Sequence, residues 1–201
     1  MKISLILAHP DPGSFNHAIA AAAAGAARAA GHAVHFHDLC REHFPPVLSA
    51  AEFSRDAELE PVIARHCREI ARAEGIIIVH PNWWGMPPAI LKGWIDRVLR
   101  PGVAYRFVAG DQGEGVPVGL LWARAAVVFN TANTPAARER KVFGDPLETL
   151  WKDCVFALCG VKKFRRRTFS VVVTSTPAQR TAWLAEVRRI AARSFPPARR
   201  T

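Results

Sequence analysis

Short apolar runs of strand length alternate along this chain with longer segments of helical periodicity. The runs that we predict to be strands are residues 2–8, 33–37, 75–79, 125–129 and 168–173. Helices are predicted over residues 14–30 and 61–72, and from near residues 87, 145 and 176 onwards. This alternation favours an α/β fold, a parallel sheet with helices on both faces. A five-stranded sheet in the order 2-1-3-4-5 is the expected topology.

Several helix ends carry residues with known capping preferences. Gly31 is predicted to end the first helix, because glycine tolerates a left-handed backbone after a helix. Pro87 and Pro88 are predicted to lie in the first turn of the third helix, where no N–H partner is needed. Asp145 and Thr176 are predicted to cap the next two helices. The helix after Asp145 has a predicted inner face made of Leu147, Leu150, Trp151, Cys154, Val155 and Leu158.

Length and composition predict a single domain. The chain has 201 residues, 50% of them hydrophobic, which suffices for one sizeable core. Its apolar runs are too short for a membrane span, and the first ten residues are too short for an export signal. The cysteines show no CxxC spacing, which predicts ordinary buried thiols in a reducing cytoplasm; they are Cys40, Cys67, Cys154 and Cys159.

The net charge of +10 is concentrated near the C-terminus. Residues 161–201 contain eleven Lys and Arg side chains and one acid, Glu186, whereas residues 1–160 are balanced. A basic region of this kind can contact an acidic membrane, a membrane transporter or nucleic acid, or it can simply be solvated. No zinc finger, RNA-binding signature or helix-turn-helix accompanies it. We therefore predict that nucleic acid is not the partner.

The most informative segment is residues 80–107, HPNWWGMPPAILKGWIDRVLRPGVAYRF. Trp83 and Trp84 directly follow the third predicted strand, at the carboxyl edge of the sheet where ligands bind in open α/β folds. Two buried core tryptophans are the alternative interpretation. Consecutive side chains point in different directions, however, and Trp94 already supplies an aromatic residue for packing. A flat aromatic ligand would explain the pair.

The loop after the first strand, HPDPGSFN at residues 9–16, joins a strand to a helix N-terminus. It matches neither GxGxxG nor the P-loop motif. Unpaired N–H groups at a helix N-terminus favour an anion, and Ser14 and Asn16 could reach a phosphate. Ser14 could equally be only a helix cap. The residues alone support both interpretations equally.

A third polar loop follows the fourth predicted strand. It contains Thr131, Ala132 and Asn133, and its composition is also typical of an ordinary turn. The carboxyl ends of parallel strands meet at one edge of a sheet. A phosphate-suited loop, an aromatic loop and an amide-rich loop at that edge together favour a flavin.

Two segments carry a resemblance to a known family. LAHPDPGSFNHA at residues 7–18 and NWWGMPPAILKGWIDRVLRPGVAY at residues 82–105 resemble the flavodoxin-like NAD(P)H:quinone oxidoreductases. The likeness extends over the order of strands and helices. It implies that residues 1–201 form a single flavodoxin-like flavin-binding domain with a basic C-terminal region, residues 161–201. It also implies FAD, or possibly FMN, with NAD(P)H as reductant, in a cytoplasmic homodimer.

The resemblance also assigns residues to roles. The phosphate arm would be held by His9, Ser14, Phe15 and Asn16. The isoalloxazine ring would be bordered by Pro81, Asn82, Trp83, Trp84, Gly85, Thr131, Ala132 and Asn133. Tyr105 and Phe107 match positions that line the acceptor pocket across the dimer interface.

The family chemistry is ping-pong hydride transfer through flavin N5 to a quinone or a similar small aromatic acceptor. No side chain of this sequence must act as acid or base. Some family members carry a Tyr and a His beside the flavin, whereas this chain has Tyr105 as its only tyrosine and Phe143 where the His would fall. Backbone donors near the ring could replace them.

Two other functions share this fold. One is a redox-sensing ancillary subunit that docks on a membrane transporter through the basic C-terminal region. The other is a one-electron carrier like a flavodoxin, a class that is usually acidic, so that the charge of +10 disfavours it.

Two further features need an interpretation. The second strand region clusters His32, His35, His37, Asp38, Cys40 and His43. Because the spacing matches no standard zinc pattern, we predict surface histidines and no metal. The glycine-containing segment 101–121 is predicted to extend over the ligand-binding edge.

Overall fold

The computed structural model describes residues 1–54, 56–108, 115 and 117–197. Its main sheet has five parallel strands, which are β1 (Lys2–Leu7), β2 (Ala33–Asp38), β3 (Gly75–Pro81), β6 (Ala125–Ala132) and β7 (Phe164–Ser170). Two short strands, β4 (Tyr105–Arg106) and β5 (Val118–Gly119), form a separate antiparallel pair. The main sheet has the order β2-β1-β3-β6-β7, which confirms the predicted topology.

Helices cover both faces of the sheet. They are α1 (Phe15–Ala29), α2 (Pro61–Ala71), α3 (Ala89–Val98), α4 (Ala136–Phe143), α5 (Pro146–Thr149) and α6 (Pro177–Ser194). A 3₁₀ turn spans Ala50–Phe53, and α5 continues as a π-helix over Leu150–Ala157. One hydrophobic core lies under α1 and α6, and the other lies under α2, α3 and the π-helix. No helix in the described part of the chain is both long and apolar enough to cross a membrane.

The central strands follow directly from their composition. All seven residues of β3 and all eight of β6 are buried, as expected for parallel strands covered on both faces. Two predicted helix signals are confirmed: Gly31 follows α1 with a φ of +80°, and Thr176 forms a capping box with Gln179 at the start of α6. Ser14 caps α1, which is one of the two roles that the sequence left open.

Two predicted helix starts are wrong in detail. Pro87 and Pro88 precede α3 rather than forming its first turn, and Pro88 holds the cap position. Asp145 does lie at the cap position of α5, but its side chain makes no cap hydrogen bond. It pairs instead with Arg166 on β7, because that buried guanidinium is a stronger partner than a backbone N–H.

The last strand and one cysteine also differ from expectation. β7 spans Phe164–Ser170 instead of residues 168–173. The apolar pattern missed the start of this edge strand, because it consists largely of three consecutive arginines. The valines that made 168–173 look like a strand come after its end. Cys154 is exposed and Cys40 is half-buried, whereas Cys67 and Cys159 are buried as predicted. Burial raises the pKa of each of these two thiols to about 11, so both are protonated at neutral pH.

The described part of segment 101–121 lies away from the ligand-binding edge. Leu120 N donates to Ala104 O at 2.8 Å, and Leu121 N donates to Cys159 O at 3.1 Å. These bonds hold the base of the segment beside the end of the π-helix. The prediction that it extends over the ligand-binding edge is therefore wrong for the described residues, and residues 109–114 and 116 lie outside them.

Candidate active site

Three loops meet where β1, β3 and β6 end, and we call these loops, residues 8–14, 82–88 and 133–135, the rim. Thr131 near the end of β6 joins them. Its Oγ1 accepts a hydrogen bond from Asn16 Nδ2 at 2.9 Å and donates one to Asn16 Oδ1 at 3.3 Å. Its carbonyl oxygen accepts from Asn82 N at 2.7 Å. The structure thus brings together the three loops that the sequence placed at one edge.

The two tryptophans lie at the surface of the rim. Trp83 N donates to Met86 O at 3.1 Å, and Met86 N donates to Trp83 O at 2.9 Å, which closes a two-residue turn. The turn has φ values of +57° at Trp84 and +73° at Gly85, as a type I′ turn requires. Trp83 is 44% exposed and Trp84 is 99% exposed. The alternative of two buried core tryptophans is therefore wrong.

Glycine is required at the tip of this turn. Besides its positive φ, Gly85 packs so closely on the α5 proline that an added Cβ would lie 2.8 Å from Pro146 Cγ. A non-glycine residue at positive φ, as at Trp84, stores about 1–3 kcal/mol of strain and is typical of functional sites. The turn therefore holds an indole in solvent at a conformational cost, which favours a binding role for Trp84.

A buried carboxylate supports the turn from below. Glu139 on α4 is 8% exposed, and its Oε1 accepts a hydrogen bond from Asn82 Nδ2 at 2.9 Å. Asn82 Oδ1 in turn accepts from Gly85 N at 3.0 Å. Sequence reasoning missed both α4 and Glu139, because residues 136–143 have no apolar periodicity. Pro135 and Gly144, which bracket the helix, were the available signal.

A cleft opens beside the turn. Its volume is about 380 Å³, and it is lined by Asn82, Trp84, Gly85, Ala132, Thr134, Glu139, Phe143 and Pro146. A second cavity of about 230 Å³ shares four of these residues and adds charged side chains from α4 and β7, among them Arg140, Arg166 and Arg167. Aromatic surface on one side and charged groups on the other match a site for a flat ligand with polar substituents.

The first loop presents hydrogen-bond donors to the rim. Asp11 N donates to His9 Nδ1 at 3.1 Å, which leaves the proton of the neutral ring on Nε2. Burial lowers the pKa of His9, so the ring is neutral at pH 7. The His9 ring lies 5.9 Å from the Trp83 ring, between centroids, and so links the first loop to the second.

Ser14 is the N-cap of α1, as one of the two interpretations predicted. Its Oγ accepts from His17 N at 3.4 Å and also contacts His17 Nδ1 at 2.9 Å. The N–H groups of Phe15 and Asn16 belong to the first turn and have no intrahelical acceptor. They provide a small anion site of backbone donors at the rim.

The side chains of several predicted site residues contact other parts of the protein. Phe15 packs on Trp183 and Phe169, with ring centroids 5.8 and 6.3 Å away. Asn133 Oδ1 accepts from Val173 N at 3.0 Å. Pro81 and Ala132 are the buried last residues of β3 and β6. The side chains of Asn16, Asn82 and Asn133 thus hold the loops, and the backbone of the rim remains for a ligand.

Tyr105 and Phe107 lie in a different groove. Their rings form an edge-to-face pair with centroids 5.7 Å apart. The groove has a volume of about 380 Å³, and its other lining residues include Ile95, Leu99 and Leu158. It shares no lining residue with the cleft beside Trp84, so these two aromatic residues do not join the rim within one chain.

A buried polar network lies directly under the rim. His80 is fully buried; its Nδ1 donates to Pro81 O at 2.8 Å, while its Nε2 accepts from Trp151 Nε1 at 2.9 Å and Asn130 Nδ2 at 2.8 Å. Burial lowers the pKa of His80 to about 4, and the nearby charge of Arg166 acts in the same direction. The neutral ring fixes the end of β3. Sequence reasoning missed this network, because Asn130 and Trp151 lie 50 and 71 positions from His80 in the chain.

A second histidine cluster, formed by His37, Glu42, His66 and Glu69, lies away from the rim beside β2. His37 Nδ1 is 2.9 Å from Glu42 Oε1, and its Nε2 is 2.5 Å from Glu69 Oε2. His66 Nε2 is 3.1 Å from Glu42 Oε2. The prediction of surface histidines is therefore wrong for His37, and also for His32, which is buried against Phe195 O.

The ligand atoms of His37, Glu42 and His66 all lie within 4.8 Å of one another, close enough to consider a metal ion. Trp94 Nε1 donates to His66 Nδ1 at 3.0 Å, which places the proton of His66 on Nε2, the atom that a metal would need. Arg65 Nη2 also donates a hydrogen bond to Glu42 Oε2 at 2.8 Å, so this oxygen already has a cationic partner. The hydrogen bonds of this cluster therefore favour a structural role over a metal site.

This cluster predicts a pH dependence of stability. Burial favours neutral His37, but its bonds to Glu42 and Glu69 outweigh burial and raise its pKa above 6.5. Burial alone would raise the pKa of Glu42. The hydrogen bonds from His37 and His66 outweigh this effect, so that its pKa falls from 4.5 to about 2. The contribution of His37 is present below pH 6.5 and lost as the pH rises through its folded pKa. That of Glu42 is present above pH 4.5 and lost as the pH falls towards 2.

The destabilisation caused by His37→Gln should accordingly be largest between about pH 4.5 and 6.5 and smaller at about pH 9. Urea unfolding of both proteins across this range measures it. His35→Gln is the matched control, because His35 lies on the same strand but is exposed and 3.7 Å from Glu69. A His37→Gln effect that does not change with pH would contradict the assignment.

Known proteins resemble this chain over most of its length. The Flavodoxin_2 family, described as a flavodoxin-like fold, matches residues 1–193. An uncharacterized NAD(P)H oxidoreductase of Haemophilus influenzae is 31% identical over 173 residues, 84% of this chain and 83% of that protein. The NAD(P)H:quinone oxidoreductase of Methanothermobacter marburgensis has a solved structure that is 25% identical, with a TM-score of 0.79 over 95% of each chain.

Other relatives match over a shorter region. An FMN-dependent NADH:quinone oxidoreductase of Bordetella petrii is 35% identical over 99 residues, which cover 48% of this chain and 43% of that protein. The chain likewise spans about half the length of several other curated relatives that it matches.

Proposed function

Because this chain belongs to the flavodoxin-like NAD(P)H:quinone oxidoreductase family, we propose that it is a flavin-dependent enzyme that oxidises NAD(P)H and reduces a quinone or a similar small aromatic acceptor. Both substrates would use one face of the flavin in turn, giving ping-pong kinetics. The observation that carries this proposal is the rim itself, where three loops tied together at Thr131 surround an exposed indole and an open cleft.

The residues at the rim fit a flavin nucleotide. The N–H groups of Phe15 and Asn16 at the start of α1, with His9 Nε2, are donors suited to its phosphate arm. Trp83, which lies beside His9, offers an aromatic face to the isoalloxazine ring. The backbone of Pro81 to Gly85 and of Thr131 to Asn133 would border the polar edge of the ring.

The flavin is either FMN or FAD, and both share the phosphate that the α1 donors would hold. The FMN-dependent relative supports FMN. The opening loop, with its His9 and Ser-Phe-Asn, supports FAD by resemblance. Mass analysis of the released cofactor distinguishes them.

When bound, the flavin supplies hydride acceptance from NAD(P)H and hydride donation at N5 to the acceptor. The protein binds, orients and shields the reactants. The buried pair of Asn82 and Glu139 keeps the turn in place, and neutral His80 fixes the strand end beneath it. No rim side chain has to transfer a proton in this scheme.

The acceptor would enter the cleft between Trp84 and Phe143. Both side chains line the cleft and are largely solvent-exposed, so a flat apolar ligand would bury aromatic surface that is now in contact with water. Phe143, which replaces the histidine of some family members, makes this wall apolar. The cleft therefore supports an aromatic acceptor over a charged one.

Trp84→Ala should raise the KM for a quinone such as menadione by about tenfold, because it removes one wall of the cleft. Flavin content and the free energy of unfolding should change little, since the side chain is exposed. Steady-state kinetics with NADPH measures the effect. Trp122→Ala is the matched control, because Trp122 is also exposed and does not line the cleft. Equal effects of the two substitutions would contradict the assignment.

We also propose that the enzyme is a homodimer, in which Tyr105 and Phe107 of one protomer complete the acceptor site of the other. Their groove is separate from the rim in one chain, and apolar residues such as Ile95 and Leu99 line it. Sedimentation of the purified protein tests this assembly. A monomer with full quinone reductase activity would contradict it.

Direct reduction of the bound flavin by NAD(P)H tests the enzyme against the one-electron carrier. Rapid two-electron bleaching of the flavin absorbance, followed by reoxidation with quinone, supports the enzyme. A stable one-electron reduced flavin that NAD(P)H does not reduce would overturn the proposal in favour of the carrier.

A further inference from the structure

The basic residues near the C-terminus form a surface of their own. Of those between positions 161 and 197, Arg166 and Arg167 are paired with acids, and Arg180 binds Ser175 and the Val172 carbonyl. The other six are exposed and make no ion pair within the described part of the chain. We call them the basic face: Lys162, Lys163, Arg165, Arg188, Arg189 and Arg193. Arg199 and Arg200 lie outside the described residues.

β7 and α6, which carry four of these six residues, are joined directly. Arg167 in β7 binds Glu186 in α6 through two hydrogen bonds of 2.8 and 3.0 Å, which joins the two elements at their middle. Hydrogen bonding from Arg167 is the main reason that the pKa of Glu186 is lowered, and the charges of Arg189 and Arg165 act in the same direction. Both arginines are therefore close to the single acid of this region, which Arg167 already neutralises.

The basic face lies at the end of the sheet opposite the rim. The rings of Phe169 and Trp183, near the end of β7 and in the first half of α6, lie 5.7 Å apart, so the two elements run in opposite directions. Phe195, just after α6, packs against Gly75, the first residue of β3. The C-terminal half of α6 and the start of β7 are thus at the amino ends of the strands.

This position separates the charge from the cofactor site. The seven residues of β7 span about 20 Å at about 3.3 Å each. The Debye length at physiological ionic strength is about 8 Å, so the basic face contributes little to the potential at the rim. The charges of the basic face are therefore too far from the rim to attract an anionic cofactor to it. A separate anionic partner would explain them.

The composition of the surface indicates the kind of partner. On the outward side of α6, Arg188, Arg189 and Arg193 alternate with exposed alanines, Ala182, Ala185 and Ala192. Small side chains between cations let a broad, flat anionic surface approach closely. The one aromatic residue of α6, Trp183, packs on Phe15 and Phe169, so this helix offers no exposed ring on which single-stranded bases could stack. The one Gln of α6, Gln179, is held in the capping box with Thr176 and is not free to read adenine edges in a duplex.

We propose that the basic face binds the surface of a lipid bilayer containing anionic phospholipids. Six exposed cations without an ion pair among the described residues are enough for reversible electrostatic binding to such a surface, which needs no membrane-spanning helix. No large apolar side chain of α6 is exposed, so binding is electrostatic and weakens with salt. This inference does not depend on the flavin.

The test is cosedimentation of the full chain with vesicles. At low salt the protein should sediment with vesicles of phosphatidylcholine and phosphatidylglycerol, but not with phosphatidylcholine alone. Salt of about 0.5 M should release it. The triple variant R188E/R189E/R193E should bind at least about tenfold more weakly.

A matched variant separates the basic face from net charge. R41E/R68E/R72E changes the net charge equally at exposed positions around β2 and α2, on the other side of the sheet from α6, and should bind vesicles like the wild type. Circular dichroism confirms that both variants are folded. Equal loss in the two variants, equal binding to both vesicle types, or tighter binding to duplex DNA than to vesicles at the same salt would each overturn the proposal.

Discussion

Ser14→Asp is expected to weaken binding of FMN or FAD by about 100-fold or more while leaving the fold intact. Ser14 is the N-cap of α1, and Asp is as good a cap as Ser, so the His17 N–H keeps an acceptor. The new carboxylate would lie beside the N–H groups of Phe15 and Asn16, where the proposed phosphate binds. Two like charges about 4 Å apart near a protein surface repel by about 4 kcal/mol.

Riboflavin provides the internal control, because it has the same ring and no phosphate. Fluorescence titration of the apoprotein should show a large loss of FMN affinity in Ser14→Asp and nearly unchanged riboflavin affinity. Ser14→Thr, which keeps a neutral hydroxyl cap, should bind both ligands like the wild type. Unchanged FMN affinity in Ser14→Asp would mean that the phosphate lies elsewhere.

The largest stability effect is expected for Arg97→Met, which should lower the free energy of unfolding by about 3–5 kcal/mol. Arg97 in α3 is 2% exposed; its Nε and Nη2 donate to Glu52 at 3.1 and 2.7 Å, and its Nη2 also donates to Glu60 at 2.7 Å. Arg97 Nη1 donates to Pro45 O at 2.7 Å. Removing the guanidinium leaves the Glu52 carboxylate, itself 6% exposed, without its main partner.

Lys92→Met is the matched control on the same helix. Lys92 pairs with Asp96, but both side chains are exposed, and exposed i,i+4 pairs contribute only about 0.3–0.5 kcal/mol. Urea unfolding of the three proteins measures both effects. If Arg97→Met destabilised no more than Lys92→Met, the contacts of Arg97 with Pro45, Glu52 and Glu60 would not stabilise the fold as proposed.

The sequence predicted most of the sheet because the central strands are uniformly apolar and their order follows from alternation with helices. β7 was misplaced because it is an edge strand. Arg166 and Arg167 are satisfied by acids from other elements, namely Asp145, Glu148 and Glu186, and no local pattern records such pairing. The short polar helix α4 was missed for a related reason, since it buries mainly Glu139.

The location of the candidate site was predictable, but its internal bonding was not. Adjacent tryptophans after a buried strand are a local signal, and the structure shows both of them exposed on the rim. The contact of Asn16 with Thr131 joins residues 115 positions apart, and that of Asn82 with Glu139 joins residues 57 apart. These polar side chains were interpreted as ligand contacts, whereas they hold the loops that would form the site.

The most direct test of the flavin site is the absorbance spectrum of the purified protein, followed by mass analysis of the cofactor that heat releases. We expect a yellow protein that contains FMN or FAD and is bleached by NAD(P)H. A colourless protein that takes up neither FMN nor FAD would contradict the proposal that the rim binds a flavin.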